Sequence, residues 1–309
     1  MNTSVKNTKT QSRWLGLVLL LLASPLCLAQ ETTGSAGTTR MDAEAATSGN
    51  RFVLTPHKRN YFLATYSDFG NASNDEFKEL TGDDDAELDD AETQFQVSLK
   101  VALLRDTFAD GDAVQFGFTI KSFWQTFNDD QSSPFRETNY QPEVWYRTPI
   151  PWSVFGSETM LWGIGAEHQS NGRTQELSRS WNRVYTTLTW LSDDLAFRFK
   201  PWYRIPECSK DKPTDSDCDD NPDIHKYMGY FEMSGIWHDD EYELGVEVRN
   251  NVGSGADHAR GAVQVDFTFP LWGRVRGYAQ VFNGYGQSLI DYNHNVTSAG
   301  VGFLLSDIL

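Results

Sequence analysis

Apolar and polar residues alternate along most of this chain. The segment 94–103 carries an apolar residue at every second position from Phe95 to Leu103, with mostly polar residues between them. The segments 241–249 and 262–271 repeat the alternation. A period of two is typical of a β-strand with one apolar face, and roughly ten residues suffice for a tilted strand to cross a bilayer. The pattern therefore predicts strands that span a membrane.

The connections between these segments alternate in length. Polar or acidic stretches of ten residues or more interleave with tight turns such as 192–194 and 239–240. Outer-membrane barrels show this asymmetry, with long external loops and short periplasmic turns. We therefore predict an all-β fold, a transmembrane antiparallel β-barrel of 12 strands. The predicted strands are 60–68, 93–103, 114–125, 139–148, 159–170, 181–191, 195–205, 226–238, 241–252, 260–271, 275–287 and 295–309, and the predicted long loops are 69–92, 126–138, 171–180 and 206–225.

A soluble sandwich or a lipocalin-like barrel is the alternative fold, because its strands also alternate. Neither of those folds requires loops that are sorted by length. The chain also has 10 tryptophans and 12 tyrosines, many of them near the ends of predicted strands. Such aromatic residues are typical of the two membrane–water interfaces. Both observations favour the membrane barrel.

The N-terminal region has the composition of an export signal followed by a polar spacer. Residues 1–29 combine three basic residues with the apolar run LVLLLL, which is too short to span a membrane as a helix. Residues 30–50 are mostly small and polar, as in flexible segments. We predict a signal peptide at 1–29, a flexible periplasmic segment at 30–55 and the barrel at 56–309.

The net charge and the cysteine content further narrow the class of protein. The formal net charge of −17 argues against nucleic-acid binding, which requires a basic surface. Cys208 and Cys218 flank an acidic loop, and two such cysteines in an exported protein are expected to form one disulfide. Two free thiols are the alternative.

Three polar residues interrupt the apolar face of a predicted hairpin. His168 and Ser170 continue the apolar face of strand 159–170, and Asn182 is in phase with the apolar face of the returning strand. Antiparallel pairing would bring Asn182 close to His168 on the outside of the barrel. The catalytic site is thus expected on the outer surface.

These residue types suit nucleophilic catalysis. Ser170 would be the nucleophile, His168 the base that accepts its proton, and Asn182 the residue that orients the imidazole. An amide at that position avoids placing a charge beside lipid. The spacing alone is explained equally well by a polar girdle at the membrane rim that contains a histidine.

Several separate motifs carry a family resemblance. The segments HQSNGR and SRSWNR within 168–183, SSPFRETNY at 132–140, DNPDIHKYMGY at 220–230 and SLIDYNHN at 288–295 resemble the outer-membrane phospholipase A family of Gram-negative bacteria. The resemblance implies hydrolysis of acyl ester bonds of phospholipids, with A1, A2 and lysophospholipase activities. It also implies one Ca²⁺ per active site, activation by formation of a homodimer, and location in the bacterial outer membrane.

The resemblance assigns roles to individual residues. Ser170 matches the family's nucleophile, His168 its base and Asn182 the residue that orients the base. Gly172 matches the position whose backbone N–H stabilises the oxyanion.

The implied calcium ligands include one departure from the family. Arg173, through its carbonyl, and Ser178 match two ligands, and Ser132 of the partner subunit matches a third. The family commonly has an aspartate where this chain has Gln175, and the loss of a carboxylate is expected to weaken the site. The neighbouring Glu176 is the candidate for replacing it.

The implied dimer contact also departs from the family. Thr138 matches a polar residue near that contact, but Ile120 replaces a glutamine that the family often places there, and can alter dimer strength in either direction. Two other functions stay open at this point. One is a catalytically weak barrel that acts as a pore or structural protein because of Gln175, and the other is a secreted soluble esterase.

Overall fold

The computed structural model describes residues 53–69, 73–152, 159–209, 218–239, 241–253, 259–273 and 275–306. The predicted signal peptide at 1–29 and most of the predicted flexible segment at 30–55 lie outside these ranges. No helix in the described ranges has the length and apolar character needed to cross a membrane.

Within the described residues, twelve antiparallel strands form the wall of the molecule and confirm the predicted fold class. A short strand, Thr55–Pro56, precedes them and pairs with the second of these strands, with Thr55 opposite Lys100. Among the described residues, two helices, α1 (Ser73–Thr81) and α2 (Ile224–Met228), and a 3₁₀ turn, Gln175–Leu177, lie in the loops. The strands are β1 (Asn60–Asp68), β2 (Ala91–Arg105), β3 (Ala113–Trp124), β4 (Phe135–Ile150), β5 (Thr159–Ser170), β6 (Ser180–Leu191), β7 (Leu195–Ile205), β8 (Phe231–Asp239), β9 (Tyr242–Asn250), β10 (Gly261–Trp272), β11 (Val275–Tyr285) and β12 (Asn295–Ser306).

The sheet closes on itself. Each strand pairs with the next along the chain, and β12 pairs with β1, for example through Val301 opposite Ala64. Closure removes the two free edges that an open sheet would expose. Because the bilayer offers no water to an unpaired backbone group, a closed barrel is the sheet architecture that can span it.

The outer surface is apolar where the strands cross the middle of the barrel. Val246 and Val265 face each other across β9 and β10 and are 39% and 38% exposed. Their chain neighbours Glu247 and Gln264 have the opposite phase and face inward. An exposed apolar belt of this extent is typical of a lipid-facing surface and argues against the soluble esterase.

The interior is lined by charged side chains that pair with one another. Glu167 forms ion pairs with Arg183 at 2.7 Å and with Lys200 at 2.9 Å. Arg59 forms an ion pair with Asp266 at 2.6 Å. Pairing offsets the cost of removing these charges from water. The Glu167 pairs join the adjacent strands β5, β6 and β7, whereas Arg59 reaches Asp266 on β10 from the segment before β1. These buried side chains occupy part of the lumen and disfavour the alternative of an open pore.

The loops follow the predicted alternation of length. In the described parts of the chain, the connecting segments 73–90, 125–134, 171–179 and 218–230 lie at one end, and short turns such as 192–194 lie at the other. The predicted disulfide between Cys208 and Cys218 is present.

The prediction that a strand begins at residue 226 was wrong. Residues Ile224–Met228 form α2, and β8 begins only at Phe231. Ile224 and Met228, four residues apart, lie on one side of the helix and are buried in an apolar cluster with Trp202. Gly229, with φ of +81°, ends the helix.

Candidate active site

The hairpin of β5 and β6 carries the candidate catalytic residues. Trp162, Ile164 and Ala166 of β5 are exposed on the lipid side, whereas Glu167 is buried on the lumen side. His168 and Ser170 therefore continue the lipid-facing row at the external end of β5. The uninterrupted register of β5 with β6 keeps both residues in that row.

His168 and Asn182 face each other across the hairpin. They are directly paired in the register of β5 and β6. The Nδ1 atom of His168 lies 2.9 Å from the Oδ1 atom of Asn182. An amide oxygen only accepts hydrogen bonds, so the proton belongs on Nδ1 and the lone pair on Nε2. The arrangement leaves Nε2 able to act as a base.

Ser170 is the last residue of β5. It lies opposite Ser180 of β6 and, on its other side, opposite Tyr140 of β4. It follows His168 by two positions, so the two side chains leave the same face of the sheet. A base and a hydroxyl on one face, next to an orienting amide, are the parts of a serine hydrolase site.

Asn171 organises the loop 171–179 that follows Ser170. Its Oδ1 accepts hydrogen bonds from the backbone N–H groups of Arg173 and Arg179, at 3.3 and 3.0 Å. Its Nδ2 donates to the carbonyl of Leu177 at 2.8 Å and to Glu137 at 3.4 Å. The side chain is buried, and the loop that holds the other candidate residues depends on it.

Gly172 and Arg173 are shaped by this loop. Gly172 has φ of +66°, a backbone conformation that residues other than glycine rarely adopt. Arg173 donates to Glu137 from Nε at 3.2 Å and to the carbonyl of Arg136 from Nη2 at 2.6 Å. The guanidinium is thereby tied to β4, and this anchors the backbone around Gly172.

Ser178 contacts a carboxylate from a distant loop. Its Oγ donates to Oδ2 of Asp220 at 2.6 Å, and Ser180 Oγ donates to the same oxygen at 3.3 Å. The neighbouring Asp219 is held by Arg204 at 2.5 and 2.6 Å and donates from its N–H to the carbonyl of Cys208 at 2.8 Å. The segment after β7 is therefore docked onto the loop 171–179.

Tyr292 adds a third loop to this assembly. Its hydroxyl donates to Asp223 at 2.7 Å, and burial together with that carboxylate raises the pKa of Tyr292. The tyrosine therefore keeps its proton and the contact at neutral pH.

The remaining predicted residues are divided between the loop 171–179 and other parts of the structure. Gln175 begins the 3₁₀ turn within the loop, and Glu176 beside it is exposed. Ser132 lies apart, exposed in the turn between β3 and β4 with φ of +59°. Ile120 is half-buried opposite Tyr140. Gln175 and Ser178 thus belong to the loop 171–179, whereas Ser132 belongs to another loop.

Three residues of the site were missed by sequence reasoning. Asn171 and Asp220 belong to quoted family motifs, but their roles arise from contacts that only the folded loops create. Glu207, which contacts Asn182 at 2.8 Å, follows β7 and lies outside every quoted motif. Nothing in its sequence surroundings signals that contact.

The fold and the site together define a transmembrane β-barrel with a candidate serine hydrolase centre on its lipid-facing side. A family model described as phospholipase A1 matches residues 38–305. The chain belongs to that family.

Individual relatives agree with this assignment. The phospholipase A1 of Salmonella typhimurium strain LT2 is 36% identical over 259 residues, which cover 84% of this chain and 83% of that protein. The outer membrane phospholipase A from Escherichia coli superposes with a TM-score of 0.73 at 34% identity, over 84% of this chain and 94% of that chain. That protein has also been solved with an asparagine-to-alanine substitution in its active site.

A second solved relative was captured with a metal. The outer membrane phospholipase of Salmonella typhi, a dimer with bound calcium, superposes with a TM-score of 0.72 at 35% identity, over 84% of this chain and 94% of that chain.

Replacement of Asn171 by alanine removes four side-chain contacts from the loop 171–179. We expect the backbone amides of Arg173 and Arg179 to exchange with deuterium roughly five to ten times faster, because each loses an acceptor worth about 1 kcal/mol. Hydrogen exchange followed by mass spectrometry of peptides from this loop measures the effect.

Asn74→Ala is the control, since Asn74 accepts a backbone hydrogen bond from Leu88 in a different external loop. It should leave exchange in 171–179 unchanged. Equal exchange in Asn171→Ala and the unaltered protein would contradict the role of Asn171.

Proposed function

We propose that Ser170, His168 and Asn182 carry out phospholipid hydrolysis by this outer-membrane enzyme. Membership in the phospholipase A1 family makes the chain a phospholipase. The observation that carries the residue assignment is the 2.9 Å contact between His168 and Asn182, on the lipid-facing row of the strand that ends at Ser170. The active-site asparagine of the E. coli relative supports the role of Asn182.

The reaction proceeds through an acyl-enzyme. Nε2 of His168 takes the proton of the Ser170 hydroxyl as Oγ attacks the ester carbonyl carbon. The tetrahedral intermediate collapses, the alcohol leaves with the proton from His168, and the acyl group stays on Oγ. His168 then deprotonates a water that attacks the acyl carbon, and Ser170 recovers its proton as the fatty acid departs. Asn182 holds the imidazole in the required tautomer throughout.

The oxyanion faces the loop after Ser170. The backbone N–H of Gly172 is our candidate donor, since the left-handed conformation of Gly172 turns the chain immediately after the nucleophile. Calcium, when bound next to this donor, would supply further positive charge for the oxyanion.

The residues of the loop 171–179 fit a calcium site of mixed oxygen ligands. Calcium accepts carbonyl, hydroxyl and carboxylate oxygens together. We propose the carbonyl of Arg173, the hydroxyl of Ser178 and the side chain of Gln175 as ligands, one ion to each site. No cluster of three or more acidic, histidine or cysteine residues suited to a metal occurs among the described residues, so neutral oxygens have to contribute.

Asp220 is our candidate to replace the carboxylate that Gln175 lacks. Its Oδ2 lies 2.6 Å from the Ser178 hydroxyl, whereas Glu176 is exposed. A carboxylate at this place restores negative charge next to the neutral ligands.

A homodimer completes the site in this proposal. Ser132 is exposed in the loop between β3 and β4 and is therefore accessible to a second copy. In the homodimer, Ser132 of the partner subunit would supply a further ligand to the calcium ion. The outward row of β3 with the half-buried Ile120, together with the half-buried Thr138 of β4, is the proposed contact face. The dimeric S. typhi relative with bound calcium supports this arrangement. Dimerisation would then control activity by assembling the ligands.

Substitution of Ser170 by alanine removes the nucleophile. We expect phosphatidylcholine hydrolysis in detergent to fall by a factor on the order of 10⁴ or more, as in other serine hydrolases. Release of fatty acid at saturating calcium is the measurement, and Ser192→Ala, at the opposite end of the barrel, is the matched control. Hydrolysis by Ser170→Ala at an unaltered rate would exclude the mechanism.

The calcium dependence of hydrolysis distinguishes the contribution of Asp220 from that of position 175. Asp220→Asn keeps an acceptor for Ser178 but loses the charge, and we expect about a tenfold rise in the calcium concentration for half-maximal activity. Gln175→Asp should lower that concentration, since it adds a carboxylate.

Titration of hydrolysis with calcium measures both shifts, with Asp193→Asn in a distant exposed turn as the control. If Asp220→Asn titrates like the unaltered protein, Asp220 does not compensate for Gln175.

A further inference from the structure

The Asn182 side chain has a second partner besides His168. Its Oδ1 faces Nδ1 of His168 at 2.9 Å, while its Nδ2 donates to Oε1 of Glu207 at 2.8 Å. We propose that Glu207 is a positioning residue that acts on His168 through Asn182. This inference rests on the catalytic roles proposed above for Ser170, His168 and Asn182.

The geometry gives Glu207 a defined task. An asparagine amide can turn by 180° and exchange its oxygen and nitrogen with little change in shape. In the turned orientation the NH₂ group would face Nδ1 of His168 and favour the tautomer that carries its proton on Nε2. That tautomer cannot take the proton of Ser170. Because the Glu207 carboxylate only accepts hydrogen bonds, it holds the NH₂ group on its own side and keeps the amide oxygen on the histidine.

The charge of Glu207 adds a second effect. An amide in place of a carboxylate stabilises the imidazolium less well during proton transfer. A carboxylate that accepts a hydrogen bond from the amide nitrogen polarises the amide and increases the negative charge on its oxygen, Oδ1. Glu207 is half-buried in the loop after β7, where water still reaches it, so this charge is supplied without being placed in lipid.

The local structure holds Glu207 in place. It lies two residues after the end of β7, and the next residue, Cys208, forms the disulfide with Cys218. The carbonyl of Cys208 also accepts a hydrogen bond from Asp219 at 2.8 Å. Glu207 is therefore fixed from both sides, and a fixed carboxylate orients Asn182 at less cost in conformational entropy than a mobile one.

The test compares Glu207→Ala, Glu207→Gln and the control Glu87→Ala, an exposed glutamate in another external loop. The assay is phosphatidylcholine hydrolysis in detergent at saturating calcium. We expect Glu207→Ala to lower kcat roughly tenfold with KM nearly unchanged, the effect of one charge-assisted hydrogen bond. Glu207→Gln, whose side-chain oxygen can still accept from Nδ2, should recover part of kcat. Glu87→Ala should have no effect.

Coupling to Asn182 distinguishes positioning from a structural role. In an Asn182→Ala background the substitution Glu207→Ala should cause no further loss, because the residue through which it acts is gone. An equal fractional loss in both backgrounds would overturn the proposal, and so would an unaltered kcat in Glu207→Ala or a failure of Glu207→Gln to recover activity. Ser170→Ala, assayed in parallel, reports on the proposed function itself, since activity without Ser170 would refute the mechanism and not only the role of Glu207.

Discussion

A backbone N–H or C=O inside a bilayer has no water to bond with, so every spanning segment must find its partners within the protein. In this chain the pairing of β12 with β1 meets that requirement by closing the sheet. Closure also decides which side of each strand meets lipid. In the strands, apolar rows such as that of Val246 and Val265 turn outward. Charged side chains such as Glu167, which pairs with Arg183 and Lys200, turn into the lumen. The position of the candidate site follows from the same constraint.

The candidate catalytic residues lie on the row that faces lipid, and this limits the chemistry available to them. A buried aspartate behind His168 would place a charge beside acyl chains, whereas Asn182 is neutral. The charged groups of the site instead come from loops at the external rim, which water reaches. Glu207 contacts the amide from the segment after β7, and Asp220 contacts Ser178 from the same segment. The strands thus supply the neutral groups proposed for catalysis, and the docked loops supply the charge around them.

The parts that depend on local periodicity could be predicted from the sequence. The phase of the strands placed His168, Ser170 and Asn182 on one face, because a period of two needs no tertiary information. Helix α2 could not be predicted in the same way, since its two apolar residues bury only when the loops pack against Trp202. The contacts of Asp220 and Glu207 span 42 and 25 residues and follow no period. Only the folded loops create them.

Covalent labelling of the nucleophile is the sharpest test of this arrangement. A sulfonyl fluoride with a long alkyl chain mimics the acyl group and reacts with a serine that a neighbouring base activates. After incubation of the detergent-solubilised protein with calcium and this reagent, mass spectrometry of peptides locates the adduct. We expect the adduct on Ser170, and we expect it to disappear in His168→Ala. An adduct on a different serine, or labelling of Ser170 at the same rate without His168, would contradict the catalytic assignment.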